Sequence, residues 1–279
     1  MVGTNCYSNP ATLNASSGAG YVTNIAGVNS YVTGSPLSVL VCFMVSDIFG
    51  INATLFRDLA DKVARKNGCY CVCPDFFNGD PFDPENENRP LPVWLKDHEP
   101  EKGIETAKPV IEALKREGAS AIGAAGFCWG GKTVTDLGKS KHVQASVLLH
   151  PAYVEVDDIR GIKTPIAILG GQNDTITPPK LIKQFKQALQ NAKPKVDSFV
   201  KIFPNVSHGW TVRYDPKDPK AVKAAEKAHD IMIGCFELEK DLTGNRKSIW
   251  LINSCGRINV SGVWALLITP PTTSPRFQF

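Results

Sequence analysis

Gly126-Phe127-Cys128-Trp129-Gly130-Gly131, preceded by the apolar run of residues 119–125 and followed by a stretch with helical character, decides how this chain is read. Glycines stand two residues before and two residues after Cys128. A strand that turns directly into a helix brings its two arms so close that a Cβ at those positions collides with the neighbouring backbone, and the spacing therefore marks a nucleophile elbow. Cysteine stands where serine is usual. The turn predicts a strained and exposed Cys128 that faces the N-terminus of the next helix. Unsatisfied N–H groups and the helix dipole there favour a thiolate, and also the oxyanion that forms when it attacks a carbonyl. Alone, the six residues also fit a glycine-rich turn around a buried structural cysteine.

Two later segments extend the motif. Pro165-Ile166-Ala167-Ile168-Leu169-Gly170-Gly171 reads as a buried parallel strand, and Gln172-Asn173-Asp174 follows it. Asp174 thus lies just past a strand end, on the side where open α/β sheets bind ligands. Residues 199–203 read as another strand, with His208 in the loop after it. Singly, Asp174 reads equally as a cap for the helix that Pro178 and Pro179 open, and His208 as a solvated loop histidine. Together they stand in the order nucleophile, acid, histidine, each after its own strand, which is the chain order of hydrolases built on such an elbow.

Outside these segments the same alternation continues. Residues 39–45 form a continuous apolar run, the mark of a central parallel strand. Phe56, Leu59, Ala60, Val63 and Ala64 recur at helical spacing up to Asn67-Gly68, and a strand begins at Tyr70. Helices are expected over 101–117 in spite of Pro109, over 180–190 and over 219–240, with a strand over 143–149. Residues 81–100, with five prolines and many charges, read as a long surface loop near the site, a place where substrates are often selected. Strands alternating with helices specify an α/β fold, a mostly parallel sheet with helices on both faces, in a single domain. Residues 21–243 form that domain, 1–20 a loose leader, and 244–279 a poorly ordered C-terminal extension.

A chain of 279 residues with 43% hydrophobic side chains can bury one substantial core. Its 31 basic and 27 acidic residues leave a formal charge of only +4, and no basic run interleaves with aromatics, so nucleic acid is not an expected partner. No uncharged apolar run reaches the roughly 18 residues that a bilayer span needs. The first charged residue is Asp47, so the leader carries neither the basic start of a secretory signal nor the arginines of a transit peptide. A cytoplasmic protein, monomeric or a weak homo-oligomer, is expected. Its eight cysteines should be mostly reduced. Cys69, Cys71 and Cys73 alternate along a strand and read as small core residues; without a Cys-x-x-Cys pair or a nearby histidine they do not suggest a metal site.

On the elbow and the residues that follow it, the chain resembles the dienelactone hydrolase family of α/β-hydrolases over roughly residues 20–240. It is most similar to plant members at Val45-Ser46-Asp47-Ile48-Phe49-Gly50, Pro74-Asp75-Phe76-Phe77-Asn78-Gly79-Asp80-Pro81 and His208-Gly209-Trp210-Thr211-Val212-Arg213. The resemblance implies an α/β-hydrolase fold with Cys128 as nucleophile, Asp174 as acid and His208 as base. It places Asp47 where bacterial relatives carry a glutamate that contacts the thiol; aspartate is one methylene shorter. It also implies that backbone N–H groups of Trp129 and Ile48 hold the oxyanion, and that Arg213 and Trp210 contact the substrate. A second arginine of the bacterial relatives is replaced here by Asn78-Gly79-Asp80. The implied reaction is hydrolysis of a small ester or lactone through a thioester acyl-enzyme, with no metal or cofactor. Two other classes stay open. One is an endo-1,3;1,4-β-glucanase-type glycosidase, the label of many plant members, with Asp47 and Asp174 as carboxyl candidates. The other is a hydrolase-fold ligand-binding protein with little turnover.

Overall fold

Strands that are apolar at every position need cover on both faces, and here they form the middle of one eight-stranded sheet. The computed structural model describes residue 7, residues 9–236 and the backbone of residues 238–240 and 246–250. In chain order the elements are β1 (Tyr21–Ile25), β2 (Val28–Thr33), β3 (Leu40–Val45), α1 (Thr54–Asn67), β4 (Tyr70–Pro74), α2 (Leu91–Asp97), α3 (Gly103–Arg116), β5 (Ala121–Phe127), α4 (Gly130–Lys139), β6 (Ala145–Leu149), α5 (Val156–Arg160), β7 (Ile166–Gly171), α6 (Pro179–Gln190), β8 (Ser198–Phe203), α7 (Pro219–Cys235), β9 (Leu238–Lys240) and β10 (Arg246–Trp250). The large sheet runs β1-β2-β4-β3-β5-β6-β7-β8. From β4 to β8 every pairing is parallel; β1 and β2 join antiparallel at one edge. Helix α1 packs with α7, while α3, α4, α5 and α6 pack in series, the two layers that a buried parallel sheet requires.

Most expected elements are present, and the departures have physical causes. The 81–100 segment is not a bare loop: it carries α2, opened by Pro90 at the N-cap. Trp94 supplies the apolar anchor, fully buried against Phe77 and Phe82. The leader is not loose from Asn9 onward. Buried Arg57 donates to the carbonyls of Ala15 and Ser17 and to Ile51, and Asp61 accepts from the Ala19 N–H, so the body's own charges hold the leader's backbone. The last helix ends at Cys235 rather than 240. Of the expected 244–279 extension only the backbone of β10, paired antiparallel with β9, is described; the remainder lies outside the described residues. Cys69, Cys71 and Cys73 are buried, free thiols on β4 and just before it. Cys235 is disulfide-bonded, while Cys42, Cys69, Cys71, Cys73 and Cys128 are free thiols.

Candidate active site

Four strands deliver the candidate residues to one edge of the sheet. Cys128 follows β5, Asp174 follows β7, His208 follows β8 and Asp47 follows β3, all at carboxyl ends, where crossover connections leave a crevice.

The elbow has the geometry its glycines imply. Cys128 has φ +50°, a left-handed conformation that costs a non-glycine residue of order 1–3 kcal/mol and persists only when its surroundings enforce it. The surroundings do so: the Cys128 N–H donates to Leu149 at 3.2 Å, and its carbonyl accepts from Gly131 at 2.9 Å and Ala152 at 2.8 Å. A Cβ on Gly126 would overlap the Gly130 carbonyl, and one on Gly130 would overlap the Val45 carbonyl. One expectation is corrected here. Cys128 is strained but not exposed: its relative exposure is 0%, so a substrate must displace neighbouring groups before it meets the sulfur.

His208 is brought to both partners. Its Nδ1 lies 2.8 Å from Asp174 Oδ2, while Asp174 Oδ1 accepts from the N–H groups of Ile176 at 2.8 Å and Thr177 at 3.0 Å. The carboxylate is therefore locked by its own turn, and it serves the histidine rather than capping α6, whose N-cap is Pro178. With Nδ1 committed to Asp174, Cys128 lies close enough to His208 to act on its charge, and Nε2 has no nitrogen or oxygen partner among the described residues. Burial alone would pull this imidazole down. The charge of Cys128, with hydrogen bonds that the ring gives to Asp174 and Cys128, outweighs burial and raises its pKa to about 9. The arrangement thus favours a protonated His208 beside Cys128 at neutral pH.

Asp47 and Arg213 are paired with each other. Asp47 Oδ2 lies 3.0 Å from Arg213 Nε, both side chains almost fully buried, and Asp47 Oδ1 accepts from Phe49 at 3.0 Å. Burial pushes the Asp47 carboxyl up, opposed by Arg213, the Phe49 N–H and His208. Arg213 also lies over the Phe49 ring and donates to the Asn9 carbonyl. Its guanidinium so crowds Gly209, at φ +83°, that a Cβ there would overlap it. Arg213 thus carries the counter-charge of Asp47 and also lines the groove beside His208. Trp210 is buried against Phe203, ring centres 4.6 Å apart, and with His208 borders a groove that the lysines of α7 also line.

The Trp129 N–H lies on the elbow itself and the Ile48 N–H on the turn after β3, and among the described residues neither is committed to a backbone acceptor. Two histidines escaped the sequence reading. His150, fully buried at the end of β6, meets Thr211 Oγ1 at 2.8 Å and the His208 ring edge to face, centres 5.2 Å apart. Burial first, then the charges of His208 and Arg213, holds it well below the usual imidazole range. His229 on α7 meets the Thr211 carbonyl at 2.7 Å, and burial lowers it to about 4. Both neutral rings pin the loop that carries His208. For His150 a signal existed, since it ends an apolar strand on the ligand-facing side. His229 sits mid-helix without one. Among the described residues no group of three or more His, Cys, Asp or Glu is placed to hold a metal.

A glycine elbow after a central strand of a mostly parallel sheet, with an acid and a histidine after later strands, defines an α/β-hydrolase fold. A solved putative dienelactone hydrolase from Klebsiella pneumoniae has the same fold, with a TM-score of 0.62 and 21% identity over 75% of this chain and 92% of that one. Residues 28–239 match the model of the dienelactone hydrolase family. A carboxymethylenebutenolidase homolog of Mus musculus is 31% identical over 70% of this chain and 81% of its own length. An endo-1,3;1,4-beta-D-glucanase of Zea mays is 44% identical over 59% of this chain, which spans 52% of the maize protein. The chain belongs to the dienelactone hydrolase family, hydrolases of ester and lactone bonds.

Proposed function

We propose that this protein hydrolyses a small ester or lactone through a Cys128-Asp174-His208 triad and a thioester acyl-enzyme. One observation supports the reading: His208, held at 2.8 Å by Asp174, interacts electrostatically with Cys128, which sits at φ +50° in the elbow. The thiolate attacks the carbonyl carbon; an S–C bond forms and the carbonyl π pair moves to oxygen, facing the Ile48 and Trp129 N–H groups. Collapse breaks the ester C–O bond, and the leaving oxygen takes the proton of the His208 imidazolium. Neutral His208 then removes a proton from water as it attacks the thioester, and the thiolate departs. Thiolates expel amines poorly, so esters and lactones are favoured over amides. We place the protein in the cytoplasm, as a monomer or weak homo-oligomer acting on a small molecule rather than on nucleic acid. Among the described residues no helix is long and apolar enough to cross a membrane.

A glycosidase reading draws on the maize relative's name. The candidate carboxyl groups do not favour it, because Asp174 is committed to His208 and Asp47 to Arg213, and both are 2% exposed. Glycosidases need two carboxyl groups open to one sugar. The deciding experiment is mass spectrometry after brief exposure to p-nitrophenyl acetate, with Cys128→Ala and His208→Ala beside the native protein. Transient acetylation of Cys128, and turnover lost in both variants, is expected. An unmodified Cys128 with turnover intact in the variants sinks the triad, and reducing sugar still released from β-glucan by Cys128→Ala would put a carboxylate mechanism in its place. A ligand that raises the Tm but is never consumed would mark a binding protein.

A further inference from the structure

Ile48 and Trp129 lie on different turns, yet both are gripped by the same segment. The Phe82 N–H donates to the Ile48 carbonyl at 2.9 Å, and the Trp129 indole donates to the His98 carbonyl at 2.9 Å. Between these grip points the chain runs through α2, and an ionic knot ties its two ends. Arg89 meets both carboxylate oxygens of Asp80, at 2.8 and 2.7 Å, and reaches Asp97 at 2.7 Å. Asp80 also receives His98 Nε2 at 2.8 Å, and its carbonyl takes the Trp94 indole at 3.0 Å. Asp80 stands two residues before Phe82, and Asp97 one before His98. Arg89 therefore connects the grip on Ile48 to the grip on Trp129. Rings of Phe77, Trp94, His98 and Trp129 fill the space beneath, with Phe77 5.0 Å from Trp129 and Trp94 4.4 Å from His98.

We propose that residues 80–98 are a brace that sets the position of the two oxyanion donors, with Arg89 as the positioning residue that closes it. The inference rests on the thiol-hydrolase reading above and adds to it the device that places its oxyanion hole. An exposed ion pair contributes little to stability, and the side chains of Arg89, Asp80 and Asp97 are 29%, 47% and 62% exposed. Arg89 nevertheless holds two carboxylates at once, Asp80 through Nη1 and Asp97 through Nη2, and this fixes geometry in a way a single contact cannot. An oxyanion donor acts only when it is aimed at the developing charge, and a displacement of about 1 Å can cost about a hundredfold in rate.

The test separates two reactions of the same sulfur. Acylation by p-nitrophenyl acetate passes through an oxyanion, whereas alkylation by iodoacetamide needs only the thiolate. In Arg89→Gln, acylation is expected to slow about tenfold, a partial loss of what one donor supplies, with alkylation rate and Tm close to native. Asp97→Asn, which removes one exposed arm, should move acylation in the same direction by less. Unchanged acylation in both variants overturns the brace. So does an equal fall in acylation and alkylation, which would mean that the whole elbow is disturbed. Should the native protein itself fail to acylate at Cys128, the hydrolase reading is at fault and the brace's role goes with it.

Discussion

Asp174→Asn is the change with the most closely defined outcome. The His208 imidazole stands at about 9 against an ordinary 6.5, a preference for the protonated ring of about 3 kcal/mol. Burial works against that preference; Cys128 and Asp174 supply it. A charge-assisted hydrogen bond is worth about 1.5–3 kcal/mol, which is roughly one to two pKa units. Asparagine keeps an oxygen for the Ile176 and Thr177 N–H groups, so the turn should survive while His208 loses its anionic partner. The histidine of the variant is then expected to titrate between about 7 and 8. Its amide N–H would also face Nδ1 and enforce the tautomer that places the proton on Nε2, the wrong one for a base; in another hydrolase triad the same change costs about 10⁴ in kcat. The direction follows from the sign of the shift: a raised histidine keeps its proton up to the folded value, so native kcat/KM for an alkyl ester, which reports the free enzyme and whose leaving oxygen needs that proton, should hold up to about pH 9 and then decline. NMR titration of the ring, with kcat/KM measured across pH, tests this. A variant midpoint still at about 9 would show that Asp174 contributes nothing to the imidazolium.

Three further outcomes follow from the same contacts. Gly130→Ala sets a Cβ against the Val45 carbonyl and 2.8 Å from Val45 Cγ1, directly before the Asp47–Ile48 turn, so denaturant melts should show about 1–3 kcal/mol lost, with acylation reduced beyond that; native acylation would refute the close approach. Arg213→Met leaves Asp47 buried without its counter-charge and should cost about 3–5 kcal/mol. Adding Asp47→Asn should recover much of that loss, and a double variant no more stable than Arg213→Met would show that the pair is not coupled. His229, lowered to about 4, contributes stability above the unfolded value near 6.5 that is lost as pH falls towards 4, up to about 3 kcal/mol. In His229→Gln, whose amide can still donate to Thr211, the drop in Tm across that window should flatten.

Local patterns carried much of this molecule. Apolar runs announced β3, β5 and β7 because a strand covered on both faces cannot alternate, and the elbow glycines were legible because a tight turn admits nothing larger. Cys128, Asp174 and His208 could be placed from sequence since each follows its own strand, and parallel strands end on one edge. Partnership across long separations left no such trace. Nothing in the sequence pairs Arg213 with Asp47, 166 residues earlier in the chain. His150 and His229 pin Thr211 from two different elements. The proline-rich 81–100 segment shows no helix until Trp94 finds a buried site, and its grip on Ile48 and Trp129 depends on neighbours the chain brings together only on folding. Even the burial of Cys128 belongs to the tertiary structure: the turn sets its φ, but packing from other segments decides what reaches the sulfur.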